Sequence, residues 1–179
     1  MDSSEHKKYP VGKFQQNVKV SDIETDRHIE VIKNFPRKLK TLVINLSDER
    51  LDTQYREGGW TVRQLVNHLS DSHMQSLGRF KMALTEENPT IKPYDEAKWA
   101  ELQDSRCEPI CSAILILEGL HTRWIHLLKT MTNKEFERTY FHPEHNNTVS
   151  LRENLAFYAW HCDHHYAHIT NLKEEKGWE

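Results

Sequence analysis

Apolar residues recur at alternating steps of four and three along two stretches of the chain. Ile110, Ile114, Leu117, His121, Trp124, Leu128 and Met131 follow this spacing over roughly 106–131, and Leu151, Leu155, Tyr158, Cys162, His165, Ile169 and Leu172 follow it over roughly 150–174. At about 100° per residue such positions form one stripe of an α-helix, so each stretch predicts a helix with a buried seam, and each seam contains one histidine. A further helix over roughly 61–86 carries Val62, Leu65, Val66, Leu69, Leu77, Phe80 and Leu84 on its apolar side. The first helix, about 22–46, contains Pro36, which predicts a kink or a split. Each of the four starts with a capping box, a Ser or Thr followed three residues on by Glu or Gln: Ser21 to Glu24, Thr61 to Gln64, Ser105 to Glu108 and Ser150 to Glu153. The same pattern from Thr132 to Glu135 predicts a short extra turn, whereas Ser72 falls within a stretch already periodic as helix.

Between the helices lie the turn Tyr55 to Gly59, a proline-containing connection from Asn88 to about Asp104, and the polar stretch from Phe141 to Asn147. The expected fold is all-α: a single domain over 1–179, built as a four-helix bundle with long connections. Long segments across a bundle end often roof a site built from the helices below.

Composition narrows the functional classes. No apolar run approaches the ~18 residues that a membrane span requires, and the net charge of −3 is mild with its basic residues dispersed. Neither a membrane nor a nucleic-acid partner is expected. Met1 to Lys8 has no apolar core behind its lysines, so no secretory signal is expected and the location is expected to be cytoplasmic. Three cysteines argue against a disulfide framework, and Cys107 and Cys111, spaced i,i+4, read as small residues at a helix start rather than as a metal pair.

The candidate chemistry lies in histidines. Of the 12 in the chain, four fall at 161, 164, 165 and 168. On a helix, His161, His165 and His168 share a stripe with His164 beside it, and an i,i+4 imidazole pair is a rigid bidentate grip for a metal ion. A histidine within an apolar seam needs partners for its ring nitrogens, which points His165 and its neighbour His161 at a metal. Two ligands are too few for a tight site, so a third is expected from a facing helix, with His68, His73 and His121 as the candidates. Periodicity favours His73, since His68 lies roughly 130° from the centre of its helix's apolar stripe.

The segment Tyr55 to Met74 (YREGGWTVRQLVNHLSDSHM) resembles the signature of the YfiT-like branch of the DinB superfamily. So do Arg79-Phe80-Lys81 with Ala83 to Glu86, Ile91 to Glu96 with Trp99-Ala100, Leu120-His121 with Arg123-Trp124, and Tyr158 to His161 followed by His164-His165 and Ala167 to Ile169. The resemblance implies a four-helix bundle that binds one divalent metal ion per subunit, zinc or nickel, through three histidines, assembled as a homodimer. Carried over by motif, the metal ligands are His68, His161 and His165, with His73 as a supporting or core residue and His164 and His168 as supporters. This chain has Asn67 before His68, where relatives often have a second histidine that is not a ligand.

Three neutral imidazoles leave a coordination position open, the layout of a catalytic site. A water in that position gives a hydrolase, and a thiol gives an S-transferase. No glutamate of the H-E-x-x-H kind adjoins the ligands to serve as a base for water, which favours a transferase that joins a low-molecular-weight thiol of the bacillithiol type to a small electrophile. A metal-dependent hydrolase is the alternative, and a metal- or ligand-binding stress module without turnover is a third class. Asp71, near His68, is a candidate catalytic or supporting carboxylate. Arg79 and Tyr94 are candidate substrate contacts, with Asp95 and Glu96 beside the latter, and Trp60, Trp124 and Trp160 are read as pocket lining or core.

Overall fold

A computed structural model of the protein describes residues 3–16 and 19–178. Its helices are α1 (Ser3–Lys8), α2 (Asp22–Val43), α3 (Asp48–Leu51), α4 (Val62–Thr85), α5 (Glu96–Ala100), α6 (Gln103–Cys107), α7 (Cys111–Thr130), α8 (Asn133–Phe136) and α9 (Leu151–Lys176). The strands β1 (Thr139–His142) and β2 (Asn147–Ser150) form a hairpin between α8 and α9. None of the helices among the described residues is long and apolar enough to cross a membrane.

The four long helices make the bundle. Both α2 and α4 pack against α7 and α9, so the order around the bundle is α2, α7, α4, α9. Helices consecutive in the chain, α2 with α4 and α7 with α9, therefore sit diagonally, and the segments joining them must cross a bundle end. The α7 positions from Ile110 to Leu128 in the predicted seam are buried, as is every α9 seam position from Leu151 to Leu172. Trp124, Phe80 and Tyr158 sit edge to face at the centre of the core.

Local chemistry explains the boundaries. The Ser21 and Thr61 capping boxes both form in full, and the Ser150 side chain accepts from Glu153 N. The Thr132 box forms as well and starts the single turn of α8. The box at Ser105 does not form. Ser105 lies inside α6, and Glu108 has the extended backbone (ψ 143°) that a following proline imposes, so Pro109 divides the predicted third helix and α7 begins at Cys111. Cys107 and Cys111 therefore sit on different helices, both exposed. At Pro36, by contrast, α2 runs on without a break.

The polar stretch 141–147 is the tip of the hairpin. His142 pairs with Asn147 across a four-residue turn in which Asn146 takes a positive φ of 48°. Phe141 N donates to Pro89 O (2.9 Å) and Ile91 N donates to Phe141 O (3.1 Å), which ties the hairpin to the α4–α7 connection. Buried arginines secure the other connections: Arg63 pairs with Asp48 and Asp52, and Arg152 with Asp22 and Glu137.

Candidate metal centre

His161 and His165 lie one turn apart on α9, and their Nε2 atoms approach to 3.1 Å. From α4, His68 Nε2 lies 3.2 Å from His161 Nε2. An ion held at 2.0–2.1 Å by tetrahedral imidazoles separates its nitrogens by about 3.3 Å, so this convergence matches what a first-row divalent ion requires. All three rings are buried, at 6–7% exposed. Burial pushes His68 down to about 4, and burial together with the neighbouring imidazoles holds His161 and His165 well below the ordinary histidine value. The rings are thus neutral, the state that binds metal.

The orientation of His161 is traceable to Pro36. In a helix the amide of residue 36 would donate to the carbonyl of residue 32; proline has no N–H, so Ile32 O is released from the helix ladder. That carbonyl accepts from His121 Nδ1 at 2.6 Å. Because a carbonyl only accepts, His121 carries its proton on Nδ1 and presents a bare Nε2. His73 Nδ1 donates to that Nε2 (2.8 Å), which leaves His73 Nε2 bare, and His161 Nδ1 donates to His73 Nε2 (3.3 Å). His161 Nε2 is then the lone pair aimed at His68 and His165. The chain runs from α2 through α7 and α4 to α9, and every ring in it is neutral, with His121 held near 4 by burial and His73 held well below the ordinary histidine value by burial and, after it, by His121. A histidine whose second nitrogen is anchored in this way has its tautomer and ring plane set, as a metal ligand requires.

This geometry gives His68 and His73 separate tasks. His73 is fully buried at the centre of the α4 stripe, as periodicity predicts, and faces His121. His68 faces α9, because α4 has two long neighbours and is buried over most of its circumference.

The triad opens onto a cavity of about 530 Å³. All three long connections wall it: Tyr55, Arg56 and Trp60 from α2–α4, Tyr94 and Glu96 from α4–α7, and His142, Glu144 and His145 from the hairpin. The Trp60 ring lies against His68 at 4.7 Å between centroids, and Trp160 also lines the cavity, whereas Trp124 belongs to the core. Arg79 and Tyr94 are both in the wall. Arg79 Nε is buried with no hydrogen-bond partner among the described residues, and the Arg79 guanidinium lies 5.9 Å from the Tyr140 ring centroid. Burial, and after it the Tyr158 hydroxyl, raises the Tyr94 hydroxyl.

Asp71 is not part of this wall. Three residues on from His68, it is rotated by about 60° around α4 and is raised to about 6 by burial and by Asp104 of α6. The expectation that it serves the metal as a base therefore gains no geometric support. The hairpin residues His142, Glu144 and His145 and the pair Tyr55 and Arg56 were not singled out as site residues in the sequence. For the hairpin residues the signal was their place in a long polar connection, and for Tyr55 and Arg56 it was also their place at the start of the segment that resembles the family signature.

Residues 32–169 match the DinB superfamily. A protein of Bacillus subtilis named "Putative metal-dependent hydrolase YfiT" is 46% identical over 95% of this chain and 96% of its own length. A relative of the same description in Oceanobacillus iheyensis is 49% identical over 97% of this chain and 99% of its own. The solved structure of YfiT from Bacillus subtilis, described as a four-helix bundle of unusual topology, superposes with a TM-score of 0.94 at 45% identity, covering 97% of this chain and 99% of that one. A family match spanning the bundle from Ile32 to Ile169, and relatives matched over nearly their whole length, establish that the chain belongs to the DinB superfamily.

Proposed function

We propose that the protein is a metal-dependent enzyme whose divalent ion, zinc or nickel, is held by His68, His161 and His165, and that it joins a low-molecular-weight thiol of the bacillithiol type, through its sulfur, to a small electrophile. The observation that carries this reading is the convergence of three buried, neutral imidazoles at 3.1–3.2 Å beside an open cavity. Bound there, a divalent ion lowers the pKa of a water to about 7 or deprotonates a thiol outright.

The chain's own groups favour the thiol. Among the described residues Glu96 and Glu144 are the carboxylates in the cavity wall, both exposed, and no carboxylate stands among the buried groups around the triad. A metal-bound thiol gives up its proton outright, whereas water bound there is only about half ionised near neutral pH and gains more from such a base. Arg79, whose side chain lines the cavity, is suited to an anionic group of the thiol or the electrophile. Tyr94, protonated because of its burial, offers a hydroxyl donor from the roof.

The hydrolase names of the relatives favour a second reading, in which water takes the place of the thiol and Glu144 or Glu96 serves as its base. Metal-loaded protein incubated with monochlorobimane and a small thiol distinguishes the two. Thiol conjugation abolished by chelation and by His165→Ala supports the transferase. Chelator-sensitive turnover of an ester or amide without any thiol, with no conjugation, replaces it with the hydrolase.

A further inference from the structure

The helix that supplies His161 and His165 carries a second pair with the same geometry. His164 and His168 are again one turn apart, their Nε2 atoms 3.1 Å apart, their rings at 79° with centroids 4.5 Å apart. The corresponding values for His161 and His165 are 3.1 Å, 79° and 4.4 Å. We infer that His164 and His168, with His165 between the pairs, form a second divalent-metal site next to the first.

Burial and the supply of donors support the assignment. His164 and His168 are 8% and 3% exposed, and ring nitrogens of His164, His165 and His168 all lie within 4.8 Å of one another. The rings are held from outside: Trp160 stacks on His164 at 4.5 Å, and Tyr55 covers His168 at 4.2 Å.

A second observation concerns His165. When its Nε2 faces the first triad as a ligand, the remaining proton sits on Nδ1. That atom is buried without a partner, unlike the corresponding Nδ1 of His161, which donates to His73. An unpaired buried N–H is costly, and metal-ligating histidines almost always direct theirs to an acceptor. The His165 ring stands between the two pairs, its centroid 4.4 Å from that of His161 and 5.0 Å from that of His164, which places it against the second ion as well as the first.

The Arg56 guanidinium stands near this pair. Burial and then the Arg56 charge lower His164 to about 4, and burial, His164 and Arg56 together lower His168 to about 3. The guanidinium charge weakens a cation's hold. The second ion therefore binds less tightly than the first, and more tightly when an anionic group of the substrate enters beside Arg56.

The inference rests on the reading of the first triad as a metal centre, and counting ions separates the two. Chelator-stripped protein is dialysed against rising zinc or cobalt(II), and bound metal is measured by elemental analysis alongside the cobalt visible spectrum. The expected result is a tight first ion and a weaker second, two per chain at saturation. The double variant His164→Gln/His168→Gln should keep the tight ion and lose the weaker one, and thermal melting checks its fold. His68→Ala should lose the tight ion. One ion per chain at saturation, with the double variant unchanged, overturns the second site and leaves the first standing. Two ions in both the wild type and the double variant also overturn it. No ion at all overturns both sites. If the double variant does not fold, the single variant His168→Gln, with one tight ion retained and the weaker one lost, carries the same test.

Discussion

Replacing His121 with phenylalanine tests whether the metal centre is oriented from the far side of the bundle. The ring lies between Phe35 and Trp124, where a phenyl group fits. What changes is the hydrogen bonding: Ile32 O loses the donor that replaced its helical N–H, and His73 Nδ1–H loses its acceptor. Each buried polar group left unpaired costs about 1–3 kcal/mol, so the metal-free protein should lose about 2–6 kcal/mol, part of it offset by the less polar ring. His73 is then free to move its proton to Nε2, where it opposes the proton on His161 Nδ1 and turns that ligand. Losing such support weakens metal binding by about 10–100-fold, or about 1.4–2.7 kcal/mol. Urea denaturation of the chelator-treated protein measures the first effect, and competition with a chromophoric zinc chelator measures the second. A folded variant whose zinc affinity stays within twofold of wild type refutes the reasoning.

Restoring the amide with Pro36→Ala gives Ile32 O a competing donor; zinc affinity should fall several-fold while the metal-free fold stays at least as stable, as urea midpoints would show. Metal-free protein should lose stability as pH falls below about 6.5. The folded-state values of His68 and His121 are lowered to about 4, so the unfolded chain binds more protons over the window from 6.5 to 4. Each of these histidines should contribute up to about 3 kcal/mol to the loss, read from urea titrations across that range; a flat profile contradicts the buried neutral rings. Zinc at 100 times its Kd should stabilise the fold by about 2.7 kcal/mol and raise Tm by about 5–10 °C, and a Tm indifferent to chelator contradicts it. Arg79→Ala should raise KM for an anionic substrate tenfold or more with little change in kcat.

Much of the bundle was legible because its seams are local patterns. The four-and-three spacing from Ile110 and from Leu151 identifies the buried faces of α7 and α9, and the i,i+4 relation of His161 to His165 is contained in one helix. Pro109 overrode a plausible capping box at Ser105, since the residue before proline resists the helical conformation. The hairpin strands are four residues each, too short to show a period. The choice between His68 and His73 was out of reach of periodicity, because α4 is buried by two neighbours and has two functional faces. The Pro36, Ile32 and His121 relay depends on contacts between residues 89 positions apart, which no local pattern carries. Pro36 was visible as an anomaly, and the structure shows where the carbonyl it releases goes.

The metal content of the protein as purified is the most direct test of the three-histidine centre. Elemental analysis of wild type after gel filtration should find about one zinc or nickel ion per chain, with near-complete loss in His68→Ala and in His165→Ala. In His73→Ala the ion should be held more weakly but not lost. A wild-type protein without stoichiometric metal, or a His68→Ala variant that keeps it while His73→Ala does not, would contradict the assignment of the centre to His68, His161 and His165.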